Sequence, residues 1–541
     1  MMDRRKFIRL TALGSASTFL VNGHVANAFN QTAAINGIPP EIIDGRSIVL
    51  VQLRGGNDGL NTIIPLNQYD TYANLRPKIK QSITAGNPNK AIELDSTLAL
   101  EDQVYLHPEF IDFKDLYDQG KLNIIHGVGY PVVNKSHFAS RALMFKGGDG
   151  TPENSNKDDG WMARYLHSHY DLNDYQDPLG IQLGSKKPSL GFHSGHEHKV
   201  DVNLAGQDIS GYYSVISNLG NPTPTSIPES DYGDNISFIS GVENNANGYS
   251  QRISEVFDAG SNAATYPNTD LASQLKTVAR MIKGGSKTKI YLVTLDGFDN
   301  HANQIANQSD PHQGQHAELL KTLGQSIKAF QTDLEAMGLD EQVVTASFTE
   351  FGRKPKENGN LGTDHGNLGP MFIIGSAVKG GMTGTNLDLT NVTKHYDEDN
   401  MQHDYRQAFS TLLSDFLGAS PNSIEGTEFM PYDGGSKLDL INSDQKVTLG
   451  IKNYTSKVDI SVYPNPISDY CNIEFTSQNM FRGSIIIHNL QGKKLLTVPQ
   501  NFMPGINSNQ LNIGHLSTGL YIISIKDEGN KSLGNFKIIK R

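Results

Sequence analysis

The chain has 541 residues and a formal net charge of −11, with 37% apolar and 19% charged residues. That length is too great for one average domain and predicts two or three folded units. The negative charge argues against nucleic acid or an anionic membrane surface as a partner. A single cysteine, Cys471, excludes an intrachain disulfide and a thiolate metal cluster. Any metal site must therefore use His, Asp, Glu or hydroxyl ligands.

Residues 1–28 are typical of an export signal rather than of folded structure. A twin arginine, Arg4 and Arg5, precedes an apolar run from Leu10 to Val21, and Ala26-Asn-Ala28 offers a small-x-small cleavage site. The run is too short, and too interrupted by Gly and Ser, to span a bilayer stably. The alternative is a disordered basic N-terminus. The segment predicts export by the twin-arginine machinery and no transmembrane segment in the mature chain.

The next feature is a strand that ends in a glycine-rich turn. Ser47 to Leu53 is an apolar, β-prone run, and it leads directly into Arg54-Gly-Gly-Asn-Asp-Gly-Leu-Asn61. Asp58 therefore lies just beyond the carboxyl end of a predicted strand, where open α/β sheets hold their ligands. Backbone N–H groups of such a turn can also hold an anion. The alternative for Asp58 is a turn residue in Asn-Asp-Gly.

A second strand candidate, Leu122 to Gly127, is followed by a predicted helix from Phe138 to Phe145. Ser136 falls at the N-cap or in the first turn of that helix. Its hydroxyl would there face the positive end of the helix dipole, a position suited to stabilising an alkoxide. The alternative is that Ser136 only caps the helix.

A third strand, Lys289 to Leu295, leads into Asp296-Gly-Phe-Asp-Asn-His301. Asp299 and His301 together suit Zn²⁺ or another divalent ion with mixed nitrogen and oxygen ligands. The alternative is a hydrogen bond between them without metal. A helix with a buried apolar stripe follows and leads to the next strand, which predicts a parallel crossover connection.

The stretch from Val343 to Gly375 contains two buried strand candidates, Val343 to Ser347 and Met371 to Ile374. Four ionisable residues lie on the glycine-rich connection between them: Glu350, Arg353, Asp364 and His365. Such groups between two buried strands are typical of a reaction site. Because Glu350 follows its strand and His365 precedes the other, they share one edge only if the strands run antiparallel. The alternative is a Glu350–Arg353 ion pair with Asp364 as a turn residue.

The C-terminal part changes pattern. Residues 441–456 are polar and aperiodic and predict a linker, and residues 457–541 are predicted to form a second domain. Its short alternating runs predict a small all-β sandwich. The predicted strands are Val458 to Tyr463, Cys471 to Phe475, Gly483 to His488, Gly519 to Ile525 and Asn535 to Ile539.

This domain carries Tyr463-Pro-Asn-Pro466, a late Gly519-Leu-Tyr521 strand and a basic end from Lys537 to Arg541. These residues resemble the type A sorting domain of the type IX secretion system. The resemblance implies a Bacteroidota-type export route through the periplasm to the cell surface or medium, with the type IX machinery as a partner. Such cargo usually enters the periplasm by the general pathway, from which the twin arginine departs.

Five motifs of the main domain occur in a characteristic order: Arg54-Gly-Gly-Asn-Asp-Gly-Leu-Asn61, Ser136-His-Phe138, Asp299-Asn-His-Ala-Asn-Gln304, Glu350-Phe-Gly-Arg353 and Gly362-Thr-Asp-His-Gly366. Their order resembles the domain-of-unknown-function family 1501, which is grouped with the alkaline phosphatase and sulfatase superfamily. The resemblance implies an α/β fold over residues 29–440, with a mixed sheet sandwiched by helices and divalent metals at the strand tips.

The resemblance also implies roles for single residues. The expected metal ligands are Asp58, Asp299, His301, Glu350, Asp364 and His365, with Zn²⁺ as the expected ion and Ca²⁺ or Mg²⁺ as alternatives. Ser136 is expected as the nucleophile, activated by metal. Arg353 is expected to orient the ester oxygens. Because Ser136 lies outside a sulfatase Cys/Ser-x-Pro-x-Arg signature, formylglycine chemistry is not expected.

The sequence thus favours an exported, metal-dependent hydrolase that acts on phosphate or sulfate esters of small molecules or polysaccharides. The alternative is a binding protein at the cell surface, or associated with polysaccharide, that retains the fold without turnover. Metal analysis of the mature domain distinguishes the two.

Overall fold

The computed structural model describes residues 19–21, 24–26, 44–152, 157–170, 172–194, 200–209, 249–392, 401–429, 432, 436–447, 460–477, 480–489, 494–503, 505–527 and 532–541. Contacts divide the chain into one unit over Ile35–Thr448 and a second unit that contains Leu449–Arg541. Arg4, Arg5 and the predicted cleavage site after Ala28 lie outside the described residues. In the described part of the chain, no helix combines the length and the apolar character needed to cross a membrane.

Two short strands, β1 (Phe19–Val21) and β2 (His24–Ala26), precede the first unit. The strands of the first unit are β3 (Ser47–Arg54), β4 (Ile63–Pro65), β5 (Ile92–Glu93), β6 (Val104–Leu106), β7 (Leu122–Gly129), β8 (Gly180–Gln182), β9 (Asp201–Asn203), β10 (Ile290–Asp296), β11 (Val343–Thr349), β12 (Arg353–Glu357), β13 (Thr363–His365), β14 (Gly369–Ile374), β15 (Gly381–Thr383) and β16 (His403–Asp404).

The helices are α1 (Gly59–Thr62), α2 (Tyr69–Leu75), α3 (Ile111–Asp118), α4 (His137–Lys146), α5 (Trp161–His169), α6 (residues 249–259), α7 (Asp270–Lys283), α8 (Gln315–Met337), α9 (Tyr405–Thr411) and α10 (Pro421–Glu425). A π-helical turn, Leu412–Phe416, continues α9. Short 3-10 turns are at Pro108–Phe110, Leu172–Asp174, Leu190–Phe192, Asp340–Gln342 and Leu389–Asn391.

A nine-stranded mixed sheet forms the centre of the first unit, in the order β15-β7-β14-β11-β3-β10-β8-β9 with β16 beside β7. β3 lies between β11 and β10 and runs parallel to both. β14 runs antiparallel to β11 and to β7. The predicted parallel connection from β10 through α8 to β11 and the predicted antiparallel pairing of β11 with β14 are therefore both confirmed.

Both faces of this sheet are covered, because alternate residues of each central strand point to opposite sides. Val49 and Val51 belong to a core with α7 and α8, whose Leu320 and Leu323 are fully buried. Ile48 and Leu50 belong to the opposite core, with α5 and α9. The result is the expected α/β layering, which fixes the carboxyl ends of the central strands as one rigid edge.

The second unit contains β17 (Ile460–Tyr463), β18 (Tyr470–Ser477), β19 (Phe481–Asn489), β20 (Lys494–Phe502), β21 (Gly505–Asn512), β22 (Gly519–Asp527) and β23 (Ser532–Lys540). They form a sheet β17-β18-β21 and a sheet β20-β19-β22-β23, both antiparallel. The predicted all-β domain is confirmed, but sequence patterning missed β20 and β21. β20 contains Pro499, and β21 is rich in Asn, Ser and Gln, so neither has the expected apolar alternation.

The predicted linker at 441–456 begins inside the first unit. Ile441 and Val447 are buried there, and the backbone N–H of Val447 donates to the carbonyl of Asp415. Residues 448–459 lie outside the described residues. The remaining length of the linker and the domain boundaries stay predictions.

Candidate metal centre

The candidate site lies at the edge where β3, β10 and β11 end side by side. The turn after β3 approaches the turn after β10 closely: a Cβ placed on Gly55 would lie 2.3 Å from the backbone nitrogen of Asp299. Gly55 also has a φ of +120°, which side chains disfavour. Glycine at this position therefore allows the β3 turn to pack directly against the segment that carries Asp299.

Three histidines surround the carboxylate of Asp299. His137 Nε2 lies 3.3 Å from Oδ2, while Nε2 of His365 and Nε2 of His301 lie 3.1 and 3.2 Å from Oδ1. The ligand atoms of His137, Asp299 and His365 are all within 4.8 Å of one another. These residues come from the start of α4, the turn after β10 and the end of β13. A group of this composition, two imidazoles and a carboxylate with a third imidazole beside them, can hold a divalent cation.

The second ring nitrogen of each histidine contacts an oxygen that can only accept a hydrogen bond. The contacts are His137 Nδ1 to Glu350 Oε1 at 2.8 Å, His365 Nδ1 to the Lys135 carbonyl at 2.7 Å, and His301 Nδ1 to Asp364 Oδ1 at 3.2 Å. Each Nδ1 must therefore carry the proton, which leaves the lone pair of a neutral ring on Nε2. Holding the outer nitrogen of a histidine in this way is how proteins orient metal ligands.

The Nε2 atoms of His301 and His365 lie only 2.9 Å apart. With both protons on Nδ1, two lone pairs face each other and both also face the anionic Asp299. Lone pairs and a carboxylate in such proximity repel one another unless a proton or a metal cation lies among them. The donor set therefore fits a divalent metal, and its three imidazole nitrogens and one carboxylate favour zinc among the common ions.

The surroundings shift the pKa values of the site residues in different directions. Burial by itself would raise the pKa of Asp299, but the hydrogen bond and the positive charge of the Arg353 guanidinium act in the opposite direction, and the pKa is lowered to about 2. The hydrogen bond to Glu350 raises the pKa of His137, and Asp299 adds to this effect. Burial instead lowers the pKa of His365. Asp299 is thus the fixed anion around which the three rings are arranged.

Glu350 lies behind His137 and contacts no other member of the group around Asp299. Its side chain is buried, and Oε1 accepts a hydrogen bond from the backbone nitrogen of Gly55 at 3.0 Å. Oε2 is also buried and has no hydrogen-bond partner among the described residues. The geometry makes Glu350 the residue that orients His137, whereas the sequence suggested that it would bind metal directly.

Asp58 is not brought into this group. Its carboxylate is buried in an ion pair with Arg76, 2.6 Å away, and accepts a hydrogen bond from Gln304 Nε2 at 2.5 Å. The side chains of Arg76 and Asp58 are 0% and 2% exposed. Burial would raise the pKa of Asp58, yet Arg76 lowers it overall. Within the described residues, Asp58 stabilises the turn after β3.

Arg353 uses its guanidinium within the protein. It donates to the carbonyls of Gly56, Thr363 and Phe298, each at 2.9 Å, and to the carbonyl of Gly55. A further hydrogen bond of 2.7 Å reaches Asp299 Oδ1. Arg353 therefore joins the turns after β3 and β10 to the β12–β13 hairpin and fixes the position of Asp299.

Ser136 is the N-cap residue of α4, as predicted, but its side chain makes no capping hydrogen bond. The residue is exposed and immediately precedes His137. Asp364 is about half exposed and contacts His301 as described above. The structure thus brings together Asp299, His301, Asp364 and His365 among the predicted residues, with Glu350 and Arg353 supporting them.

His137 is the member of the group that sequence reasoning missed. It belongs to the motif Ser136-His-Phe138, in which only the serine was a predicted site residue. The available signal was its position, because a histidine at the first residue of a helix that follows a strand tip lies at the same edge as Asp299.

Comparisons with known proteins agree with the two predicted resemblances. Residues 249–413 match the family described as "Protein of unknown function (DUF1501)", and residues 461–541 match the "Secretion system C-terminal sorting domain". Both resemblances are confirmed over these residues. The sorting tail indicates a secreted or cell-surface protein. No curated protein matches the chain.

Comparison with solved structures found several matches of low identity and low TM-score. A protein in the alkaline phosphatase superfamily from Vibrio parahaemolyticus is 8% identical, with 90% of this chain and 81% of that chain covered, at a TM-score of 0.30. The lipoteichoic acid synthase LtaP from Listeria monocytogenes is 8% identical, with coverage of 73% and 80% and a TM-score of 0.30. Alkaline phosphatase from the Antarctic bacterium TAB5 is 10% identical, with coverage of 61% and 92% and a TM-score of 0.26.

Proposed function

We propose that this protein is an exported, metal-dependent hydrolase of phosphate or sulfate esters. The observation that carries the proposal is the convergence of three imidazole Nε2 atoms on Asp299, each with its Nδ1 proton held by an oxygen. Three imidazoles whose outer nitrogens are held by oxygens and whose inner nitrogens meet at one carboxylate form a donor set that fits a divalent cation. The metal site in this proposal rests on the chain's own geometry, and the class of ester follows from the resemblance of its motifs to family 1501.

The residues that would hold the metal are His137, Asp299 and His365, with His301 as a further ligand. A divalent ion bound there would act as a Lewis acid on an ester oxygen and would lower the pKa of a coordinated hydroxyl or water. Zinc is the ion that suits this donor set best.

The chain's other residues prepare the site. Glu350, the Lys135 carbonyl and Asp364 each fix one imidazole ring, so the rings need no reorientation when the ester binds. Arg353 holds Asp299 and the turn after β3 together. We assign Arg353 this positioning role because its N–H groups already contact protein oxygens.

Ser136 is the proposed nucleophile. It precedes His137 in the chain, it is exposed, and its hydroxyl is not used to cap α4. Its position at the amino end of a helix of ten residues also favours the alkoxide form, because the helix dipole stabilises negative charge there. The hydroxyl proton would pass to solvent or to a nearby base.

The proposed chain organisation follows the sequence: a twin-arginine signal at 1–28, the hydrolase domain at 29–440, a linker at 441–456 and the sorting domain at 457–541. Export would pass through the periplasm to the cell surface or medium by the type IX route. The substrate would be a small-molecule or polysaccharide ester met outside the cell.

The test combines metal analysis with turnover. Purified full-length protein should contain close to one zinc per chain, lose it to a chelator, and hydrolyse at least one ester from a panel of phosphate mono- and diesters and sulfate esters. His365→Ala should lose both metal and turnover, whereas Lys146→Ala, on the distant end of α4, should keep both. Metal-free protein without turnover overturns the proposal. Metal-loaded protein without turnover on every ester instead favours the non-catalytic binding protein.

A further inference from the structure

An arginine and an exposed phenylalanine lie on α4 directly beside the candidate metal centre. Arg141 is one helical turn after His137, and its Nη1 is 3.8 Å from Glu350 Oε1. Its guanidinium carbon lies 5.4 Å from the centre of the Phe138 ring. Residues spaced by three or four positions share one face of a helix, so His137, Phe138 and Arg141 present neighbouring groups.

The guanidinium of Arg141 has fewer hydrogen-bond partners than those of two fully buried arginines, Arg353 and Arg76. Arg353 and Arg76 donate to several carbonyl and carboxylate oxygens at 2.6–2.9 Å. Arg141 is only 19% exposed at its side chain, yet among the described residues it has only the long contact to Glu350 and the ring of Phe138. Its planar set of N–H donors therefore remains available one helical turn from His137.

Phe138 is 81% exposed, the highest value among the large hydrophobic residues that the structure describes. One exposed aromatic ring is ordinary on a protein surface. This ring, however, follows a proposed metal ligand in the chain and has a guanidinium against it. An exposed aromatic face next to a cation provides one apolar and one anionic contact at the same place.

We propose that Arg141 and Phe138 form the substrate subsite of the centre. Arg141 binds the anionic group of the ester, and the open face of Phe138 stacks against a ring in the alcohol part, either aryl or pyranosyl. This inference rests on the proposed function and names its substrate class as esters of ring-bearing alcohols. Arg141, rather than the internally bonded Arg353, orients the ester oxygens.

The test measures binding of stable analogues to zinc-loaded full-length protein by calorimetry. The probes are inorganic phosphate and sulfate, followed by phenylphosphonate, methylphosphonate and a glucosylmethyl phosphonate, or the matching sulfonates if sulfate binds better. Zinc content is measured on the same samples. Absence of zinc in the wild-type protein is a failure of the proposed function. Normal zinc content, with analogue binding that does not depend on Arg141 and Phe138, contradicts the inference alone.

Arg141→Ala should weaken binding of the inorganic anion by about tenfold or more, because a charge-assisted hydrogen-bonding partner is lost. Arg141→Lys should restore only part of it, since an ammonium cannot form the bidentate contact. Arg54→Ala is the matched control: Arg54 lies at the same edge of the sheet, paired with Asp296 at 3.1 Å. It should leave binding and zinc content unchanged.

Phe138→Ala should leave the inorganic anion unaffected and reduce the preference for a ring-bearing analogue over methylphosphonate by about fivefold. Phe138→Trp should keep that preference. The analogue with the larger loss identifies the ring as aryl or pyranosyl. The inference is overturned if Arg141→Ala binds the anion as wild type does, or if Phe138→Ala retains the full ring preference.

Discussion

Asp58 and Asp299 are two aspartates in the same topological position with opposite surroundings. Each follows a central parallel strand, β3 or β10, at the same edge of the sheet. Asp58 is 2% exposed at its side chain and paired with a fully buried arginine, whereas Asp299 is 48% exposed and faces three imidazoles. An arginine lowers the pKa of both carboxyls. The other partners distinguish the two carboxylates: Asp58 Oδ2 also accepts a hydrogen bond from Gln304, whereas Asp299 also faces the Nε2 atoms of three imidazoles.

The difference shows what a strand-tip carboxylate does when its charge is already balanced. The Arg76 contact leaves Asp58 with a structural task, and a cation there would have to displace a buried salt bridge. At Asp299 the arginine contact is joined by three imidazoles, which together with the carboxylate can bind a cation. Stability should therefore depend mainly on Asp58, and metal affinity mainly on Asp299.

The largest effect is expected from Asp58→Ala. The change leaves Arg76 charged, unpaired and fully buried, which should cost about 3–5 kcal/mol of the free energy of unfolding. Denaturant unfolding of the metal-free protein measures it. Asp296→Ala, which removes an exposed partner of Arg54, is the control and should change the free energy by about 0.5 kcal/mol or less. Equal effects of the two variants would contradict the comparison.

Asp299→Ala should change zinc affinity strongly and the free energy of unfolding only slightly. Removing the carboxylate should weaken zinc binding by more than about a hundredfold, because a direct ligand is lost. Loss of a residue that only hydrogen-bonds to a ligand should weaken binding less. The free energy of unfolding without metal should change little, since Arg353 retains its carbonyl contacts. Competition with a coloured zinc chelator gives the affinity. Retention of wild-type affinity would remove Asp299 from the site.

Glu350→Gln should have a smaller effect on the metal. The amide can still accept the Nδ1 proton of His137 but no longer carries charge, so zinc affinity should fall by about tenfold. The same competition assay measures it. Glu335→Gln, the same change at a partly exposed side chain of α8 that pairs with Lys121, serves as the control and should leave zinc affinity unchanged. A loss as large as that of Asp299→Ala would instead show that Glu350 binds metal directly.

The smallest effect concerns pH. Because the pKa of Asp58 is lowered in the folded state from 3.8, its contribution to stability is present above that value and is lost as pH falls through the folded pKa. The difference in free energy of unfolding between wild type and Asp58→Asn should therefore be constant from pH 7 to 5 and shrink below pH 4. Denaturant unfolding at each pH measures this difference. A difference that grows in acid would reverse the assigned direction of the shift.

Much of the framework could be predicted from the sequence. The strands at Ser47, Ile290, Val343 and Gly369, the helix after Ser136 and the antiparallel return of β14 all follow from apolar runs and their order. These features are local, or depend on the order of elements, so patterning detects them. It also placed Asp299, His301 and His365 at one edge.

The site was harder to predict from the sequence, because it depends on contacts between segments that are distant in the chain. Nothing local distinguishes Asp58 from Asp299; the distinction is Arg76, which lies 18 residues beyond Asp58. His137 comes close to Asp299 only because the fold brings the start of α4 to the turn after β10. The hydrogen bonds that Arg353 donates likewise depend on carbonyls from distant segments, namely the turns after β3 and β10 and strand β13.

The main-chain anchor of His365 has a consequence for mutational studies. His137 and His301 are held by side chains, Glu350 and Asp364, which one codon change can delete. His365 is held by the carbonyl of Lys135, an atom that every amino acid supplies. Substitutions at position 135 should therefore leave the His365 ring in place. A saturation scan would detect the supports from Glu350 and Asp364 but not the one from the Lys135 carbonyl. Only an insertion or deletion between β7 and α4, which shifts the backbone itself, would expose the third.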